Sequence, residues 1–163
     1  MNKILVSGCM NGQPIRYNQS GVDFESVLWD RWEADGRLVS FCPELAAGFA
    51  VPRPPAETVG GDGSAVLAGE ARVLEDNGRD VTDLFMRGAE LALARALSQG
   101  CVMAILTDGS PTCGSSYVFD GTFGGGTRPG AGVTAQLLRD NGLAVFSEHQ
   151  LQAADDYLRS RPD

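Results

Sequence analysis

Cys101-Val-Met-Ala-Ile-Leu106 runs straight into Thr107-Asp-Gly-Ser-Pro-Thr-Cys-Gly114, and this junction decides how the chain folds. The first stretch is a continuous apolar run of strand length. The second carries Gly109 and Pro111, which keep it out of regular structure. A polar loop at the carboxyl end of a buried strand is where open α/β sheets place their chemistry, so Ser110 and Cys113 are expected on a functional edge.

On both sides of this junction the sequence alternates strand and helix signals. Lys3-Ile-Leu-Val-Ser7 and Arg37-Leu-Val-Ser-Phe41 read as strands, as does Leu143-Ala-Val-Phe146. A first helix is expected from an Asp23 cap to about Asp35, with Gly36 as its stop. Leu84 to Ser98 reads as the strongest helix, with Asp80 or Thr82 as its cap and Gly100 as its end. Further helices are expected over Val133 to Asn141 and Glu148 to Arg159, the last opened by a Ser147/Gln150 capping box. Leu45 to Ser64, rich in proline and glycine, reads as a long surface loop; Ala65 to Leu67 and Ala71 to Val73 read as a small hairpin. The pattern predicts an α/β fold over residues 1–163: one domain with a mostly parallel sheet of about four strands, flanking helices and long cysteine-bearing loops.

That arrangement divides the four cysteines three against one. Cys9 follows the first strand, Cys42 the second, and Cys113 lies in the loop after the third. Cys101 begins the third strand, at the opposite edge and roughly 15–20 Å away, a strand's length. Its apolar context makes it a small buried hydrophobe. Only the other three can share a site. One histidine, His149, rules out a His-rich metal site, and three thiolates suit either zinc or an iron–sulfur cluster. With three protein ligands, either centre keeps an open position, and a soft metal there favours a sulfur-bearing substrate. Glu44 and Ser110 lie close enough in sequence to Cys42 and Cys113 to act on a ligand bound there.

Charge and length narrow the class. A net charge of −8 over 163 residues, with no basic run, argues against nucleic-acid or acidic-membrane binding. The apolar run after Met1-Asn2-Lys3 is too short for a signal peptide, and no run is long enough to span a bilayer. A cytoplasmic protein with reduced cysteines is therefore expected.

Several short motifs occur in order: Ser7-Gly-Cys9, Arg16-Tyr17, Cys42-Pro-Glu44, Pro52-Arg-Pro-Pro-Ala-Glu57, Asp80-Val-Thr82, Ser110-Pro-Thr-Cys-Gly114, Tyr117 and Asp120-Gly-Thr-Phe123. With them the chain resembles the thiouracil desulfidases from about Lys3 to Glu148. The resemblance implies a [4Fe-4S] cluster held by Cys9, Cys42 and Cys113. Its open iron would bind the thiocarbonyl sulfur of 2-thiouracil or a related thiolated pyrimidine, and uracil and hydrogen sulfide would be released without net redox change. It further implies Glu44 as general acid/base and Ser110 as a proton-relaying or orienting hydroxyl. Arg16, Tyr17, Arg53 and Glu57 are expected to shape the pocket or pin its loops. Asp108 stands where many relatives carry a basic residue, and its charge favours a free base over a thiolated nucleotide.

Two other readings compete. A non-catalytic iron–sulfur or zinc sensor would use the same cysteines but need neither Glu44 nor Ser110. Gly130-Ala-Gly-Val-Thr-Ala135 matches a dinucleotide-binding glycine pattern, yet it stands more than twenty residues beyond the third strand, whereas the fingerprint follows its strand directly.

Overall fold

A computed structural model describes residues 1–11 and 26–163. In chain order the elements are β1 (Lys3–Ser7), a 3-10 turn (Gly8–Asn11), α1 (Val27–Ala34), β2 (Leu38–Phe41), α2 (Pro43–Ala46), β3 (Ala56–Val59), α3 (Gly63–Leu67), β4 (Arg72–Glu75), α4 (Thr82–Ser98), β5 (Cys101–Leu106), β6 (Tyr117–Phe119), β7 (Thr127–Pro129), α5 (Val133–Asp140), β8 (Ala144–Ser147) and α6 (Leu151–Arg159).

Four strands form a parallel sheet in the order β2-β1-β5-β8, as the α/β reading expects. Successive strand residues point to opposite faces, and helices cover both, which explains why β1 and β5 read as unbroken apolar runs. Ile4, Val6, Met103 and Ile105 pack under α1 and α6 with Trp29, Trp32, Ala154 and Leu158. Leu5, Ala104 and Leu106 pack on the other face against Ala92 and Ala96 of α4 and Ala135 and Leu138 of α5. From β1 the chain moves to β2 on one side, and from β5 it moves to β8 on the other. The carboxyl ends of β1 and β5 therefore lie side by side at a topological switch point, where the diverging loops leave a crevice.

Helix ends follow local chemistry. Ser26 caps α1 by accepting from the Trp29 N–H at 3.3 Å, and Gly36 ends the turn beyond it at φ 72°. The expected cap at Asp23 lies outside the described residues. Helix α4 begins at Thr82 without a side-chain cap. Asp80 instead accepts from the Thr82 N–H and hydroxyl, while Thr82 Oγ1 accepts the Val73 N–H at 3.0 Å. Gln150 Oε1 accepts the Ser147 N–H, and Ser147 Oγ accepts from His149 N. That pair of bonds closes the turn ahead of α6, so the last helix starts at Leu151 rather than Glu148.

The middle of the chain differs from its expected layout. Ala65 to Leu67 belong to helix α3, whose N-cap Asp62 accepts from the Ala65 N–H at 3.2 Å. The expected pairing of Ala65 to Leu67 with Ala71 to Val73 is therefore not made; the hairpin here is built from β3 and β4, pairing Ala56 with Glu75 and Val59 with Arg72. Much of the segment expected as loop is thus ordered structure. An apolar run of three residues fits either element, and the cap beside it decides for helix. A second hairpin, β6–β7, holds the first part of the glycine-rich segment. No described helix is long and apolar enough to cross a membrane.

Candidate active site

Above the switch point lies a cavity of about 320 Å³ that opens to solvent. Its floor comes from the three loops that leave β1, β2 and β5, bringing Cys9, Cys42 and Cys113 to its lining together with Glu44 and Ser110. The hairpin β3–β4 adds Ala56, Glu57 and Glu75, and aromatic side chains including Phe41, Phe49, Phe85, Tyr117 and Phe119 complete the walls. Cys101 is absent from this lining. It is buried at the far end of β5, and burial pushes its thiol up to about 11.

Each of the three cysteines is placed by its own loop. Cys9 sits in the 3-10 turn after β1, with its Sγ 3.1 Å from Thr107 Oγ1. Cys42 is the N-cap residue of α2, whose Pro43 occupies the first helical position, where no N–H is needed. Cys113 is held by its turn: Ser110 Oγ accepts the N–H groups of Thr112 and Cys113, both at 3.2 Å. That turn rests on α5. Gly132 N donates to the Gly114 carbonyl at 2.7 Å, Val133 N to Pro111 and Thr134 N to Thr112. A Cβ on Gly132 would sit 2.5 Å from the Thr112 carbonyl carbon, so only glycine permits this approach. These bonds occupy the helix N–H groups that a dinucleotide pyrophosphate would need, and the glycine pattern at Gly130 serves packing instead.

Electrostatically the trio favours a cation in its midst. The Cys113 thiol is pushed well above its ordinary value, first by burial; a Ser7 hydrogen bond opposes this, and the charges of Cys42, Cys9 and Glu44 raise it further. Cys42 is raised for the same leading reason, burial, against the Leu45 backbone N–H. Arg53 is a nearby cation, but its Nε donates to Glu44 Oε2. Three thiols lining one cavity, Cys113 raised in part by the charges of the other two, are stable as thiolates once a multivalent cation lies among them. Among the described residues no three His, Cys, Asp or Glu side chains close tightly enough to hold one metal ion. Thiolates on a single zinc share a centre about 2.3 Å from each sulfur. Thiolates on separate irons of a cluster stand further apart, and three cysteines brought to one cavity by three loops, with no histidine beside them, are a donor set that suits such a cluster.

The remaining predicted residues divide by what their side chains do. Asp108 lines the cavity, but its Oδ1 accepts the N–H groups of Gly109, Ser115 and Ser116 at 3.1 Å and of Tyr117 at 3.4 Å. Burial alone would raise this carboxyl, and those hydrogen bonds, Ser116 foremost, hold it below the ordinary range. Glu57 Oε1 accepts from Gly121 N and Phe123 N and so pins the glycine-rich segment. Arg53 also donates to the Ala50 carbonyl at 3.3 Å. Arg16 and Tyr17 lie outside the described residues. Sequence reasoning passed over Ser7, Thr107 and Glu75. For Glu75 a signal was present: in Arg72-Val-Leu-Glu75 the acid shares a strand face with apolar Val73.

The family model described as 2-thiouracil desulfurase matches residues 4–150. The uncharacterized protein YbbK of Bacillus subtilis (strain 168) is 43% identical over 148 residues, covering 91% of this chain and 97% of that protein. A solved structure described as a [4Fe-4S]-dependent thiouracil desulfidase, TudS, is 43% identical and superposes with a TM-score of 0.89, covering 99% of this chain and 100% of its own.

Proposed function

Because the chain belongs to the 2-thiouracil desulfurase family, we propose that it is an enzyme that removes the sulfur of 2-thiouracil at the cavity above β1 and β5. Cys9, Cys42 and Cys113 hold a [4Fe-4S] cluster there. One observation carries this reading: the three cysteines, Glu44 and Ser110 come from three separate loops and line one cavity. The 43% identity to a protein described as a cluster-dependent desulfidase supports it.

When bound, the cluster supplies a soft Lewis acid that draws electron density out of the C=S bond. The protein's own groups do the rest. Glu44 has Oε2 bound to Arg53, so Oε1 is the atom that takes a proton from the attacking water and returns it to the departing sulfur. Ser110 Oγ already accepts two backbone N–H groups, which leaves its hydroxyl hydrogen to donate into the cavity and orient the reacting group. The aromatic walls thin the water around these groups and strengthen each polar contact. Across the whole reaction, water and 2-thiouracil give uracil and hydrogen sulfide, and no electrons are gained or lost. Among the described residues the one cation that lines the cavity, Arg53, is engaged by Glu44, in keeping with a free base as substrate.

Anaerobic reconstitution with iron and sulfide, followed by a sulfide-release assay on 2-thiouracil, tests the proposal. Sulfide and uracil should appear in equal amounts. Failure of the intact chain to take up iron would overturn it. Glu44→Gln separates an enzyme from a sensor: turnover should fall while iron content stays.

A further inference from the structure

We propose that Glu75 is the specificity-determining residue of the cavity, accepting the ring N–H that adjoins the thiocarbonyl carbon of the substrate. This rests on the desulfidase reading and adds a residue to it. Four carboxylates line the cavity. Three are committed to the protein: Glu44 to Arg53, Asp108 to the N–H groups of its own loop, and Glu57 to Gly121 N and Phe123 N. Glu75 is different. Its side chain is only 2% exposed, and among the described residues no donor lies within hydrogen-bond distance of its carboxylate. Among the described residues its ion-pair partner is Arg79, whose Nη1 is 3.6 Å away on a side chain that is 61% exposed.

A carboxylate buried to that depth, with only the long ion pair to Arg79, keeps acceptor positions that no described residue fills. An N–H arriving in the cavity that Glu75 lines would fill them. Glu75 occupies the inward face of β4 beside Val73, opposite Ala56 of β3, and Phe85 and Phe49 form the neighbouring wall. In such apolar surroundings a charged acceptor discriminates strongly between a ligand that brings an N–H and one that does not. 2-Thiouracil carries N–H groups on both ring nitrogens flanking its C=S carbon, and uracil keeps them. The substrate class is therefore a cyclic thioamide with hydrogen on a ring nitrogen next to the thiocarbonyl. Alkylation of the recognised nitrogen removes the donor and leaves Glu75 unpaired.

Calorimetric titration of the anaerobically reconstituted full chain with uracil tests this without turnover. Wild type should bind uracil, and Glu75→Gln should bind it roughly 10- to 100-fold more weakly. Arg79→Ala should bind within about twofold of wild type, since Arg79 is only a distant counter-ion. Of 1-methyluracil and 3-methyluracil, one should be rejected by wild type and accepted equally with uracil by Glu75→Gln. The inference is overturned if uracil does not bind wild type, if a folded Glu75→Gln binds uracil normally, or if Arg79→Ala reproduces its loss, which would mark an ion pair of the hairpin. Absence of sulfide release by wild type would instead strike the desulfidase reading, while the uracil comparison would still decide the role of Glu75.

Discussion

Arg53 Nε donates to Oε2 of Glu44, and both side chains are largely enclosed, 7% and 14% exposed. Arg53 arrives from the proline-rich segment after α2, whereas Glu44 stands in the first turn of α2 itself, so the pair ties two walls of the cavity together. Removing one partner of such a pair strands the other charge, which costs about 3–5 kcal/mol when both are buried. Arg53→Met should therefore lower the melting temperature and the rate together. Glu44→Met/Arg53→Met should regain much of the stability yet none of the activity. Thermal melts paired with sulfide-release rates check this, and recovery of turnover by the double variant would remove Glu44 from the chemistry.

Glu44→Gln alone should cost roughly 10²–10⁴-fold in kcat, the range for a positioned acid–base group. KM should change little, because the amide keeps the shape of the carboxylate. Steady-state kinetics on protein of matched iron content gives the answer.

The cysteines should divide three to one by iron content. Alanine at Cys9, Cys42 or Cys113 should abolish most cluster uptake on anaerobic reconstitution, and Cys101→Ala should leave it unchanged. Cys101 makes a second, independent prediction. With its thiol pushed up to about 11, it should resist alkylation at pH 8 in the folded protein and react on unfolding. Iron and sulfide determination and mass mapping of alkylated sites are the measurements.

Gly132→Ala should harm the site from a distance. Its Cβ would press within 2.5 Å of the Thr112 carbonyl carbon and 2.8 Å of the Pro111 carbonyl oxygen, on the loop that carries Cys113. Overpacking of this kind costs about 1–3 kcal/mol. The variant should melt earlier and hold less iron, while Gly142→Ala, with open space at its Cβ but a φ of 89°, should lose stability without losing iron.

Acid should unfold the chain through Asp155. Burial alone would raise this carboxyl, but hydrogen bonds from Arg31, Arg159 and Trp32 hold it below the ordinary carboxylate range. A depressed value in the folded state means the unfolded chain binds protons first. The stabilisation is thus full above the unfolded value near 3.9 and is lost as pH falls through the folded one. Melting temperature should be flat from about pH 8 to 5 and fall below about pH 4. Asp155→Asn should lower stability at pH 7 by about 2 kcal/mol, less than a fully buried pair because both arginines are partly exposed, and should flatten the acid decline.

Strand β5 and its loop were legible because an unbroken apolar run followed by Gly-Ser-Pro admits one reading, and the three-to-one partition of cysteines followed from strand direction alone. The parallel sheet came with it. What escaped was long-range. Ala56 to Val59 sit among prolines and form a strand only because Arg72 to Glu75 pair with them, and no local signal announces that partner. Asp108 looked free to meet a ligand, yet backbone N–H groups seven to nine residues ahead claim its Oδ1, and those of its own turn leave Ser110 only its hydroxyl hydrogen to offer. Hydrogen-bond commitments of this sort are invisible until the loop is folded.

The hairpin β3–β4 is inserted between elements of the main sheet and contributes no cysteine, yet it brings Glu57 and Glu75 to the cavity. On the proposed reading, metal holding and substrate reading are carried on separable pieces of chain. Changes in the hairpin can retune which heterocycle is accepted while the sheet edge, with its three sulfurs, stays fixed. One reactive centre can in this way be handed from one thiolated compound to another, and an engineered library confined to residues 56–75 should explore new substrates without forfeiting iron.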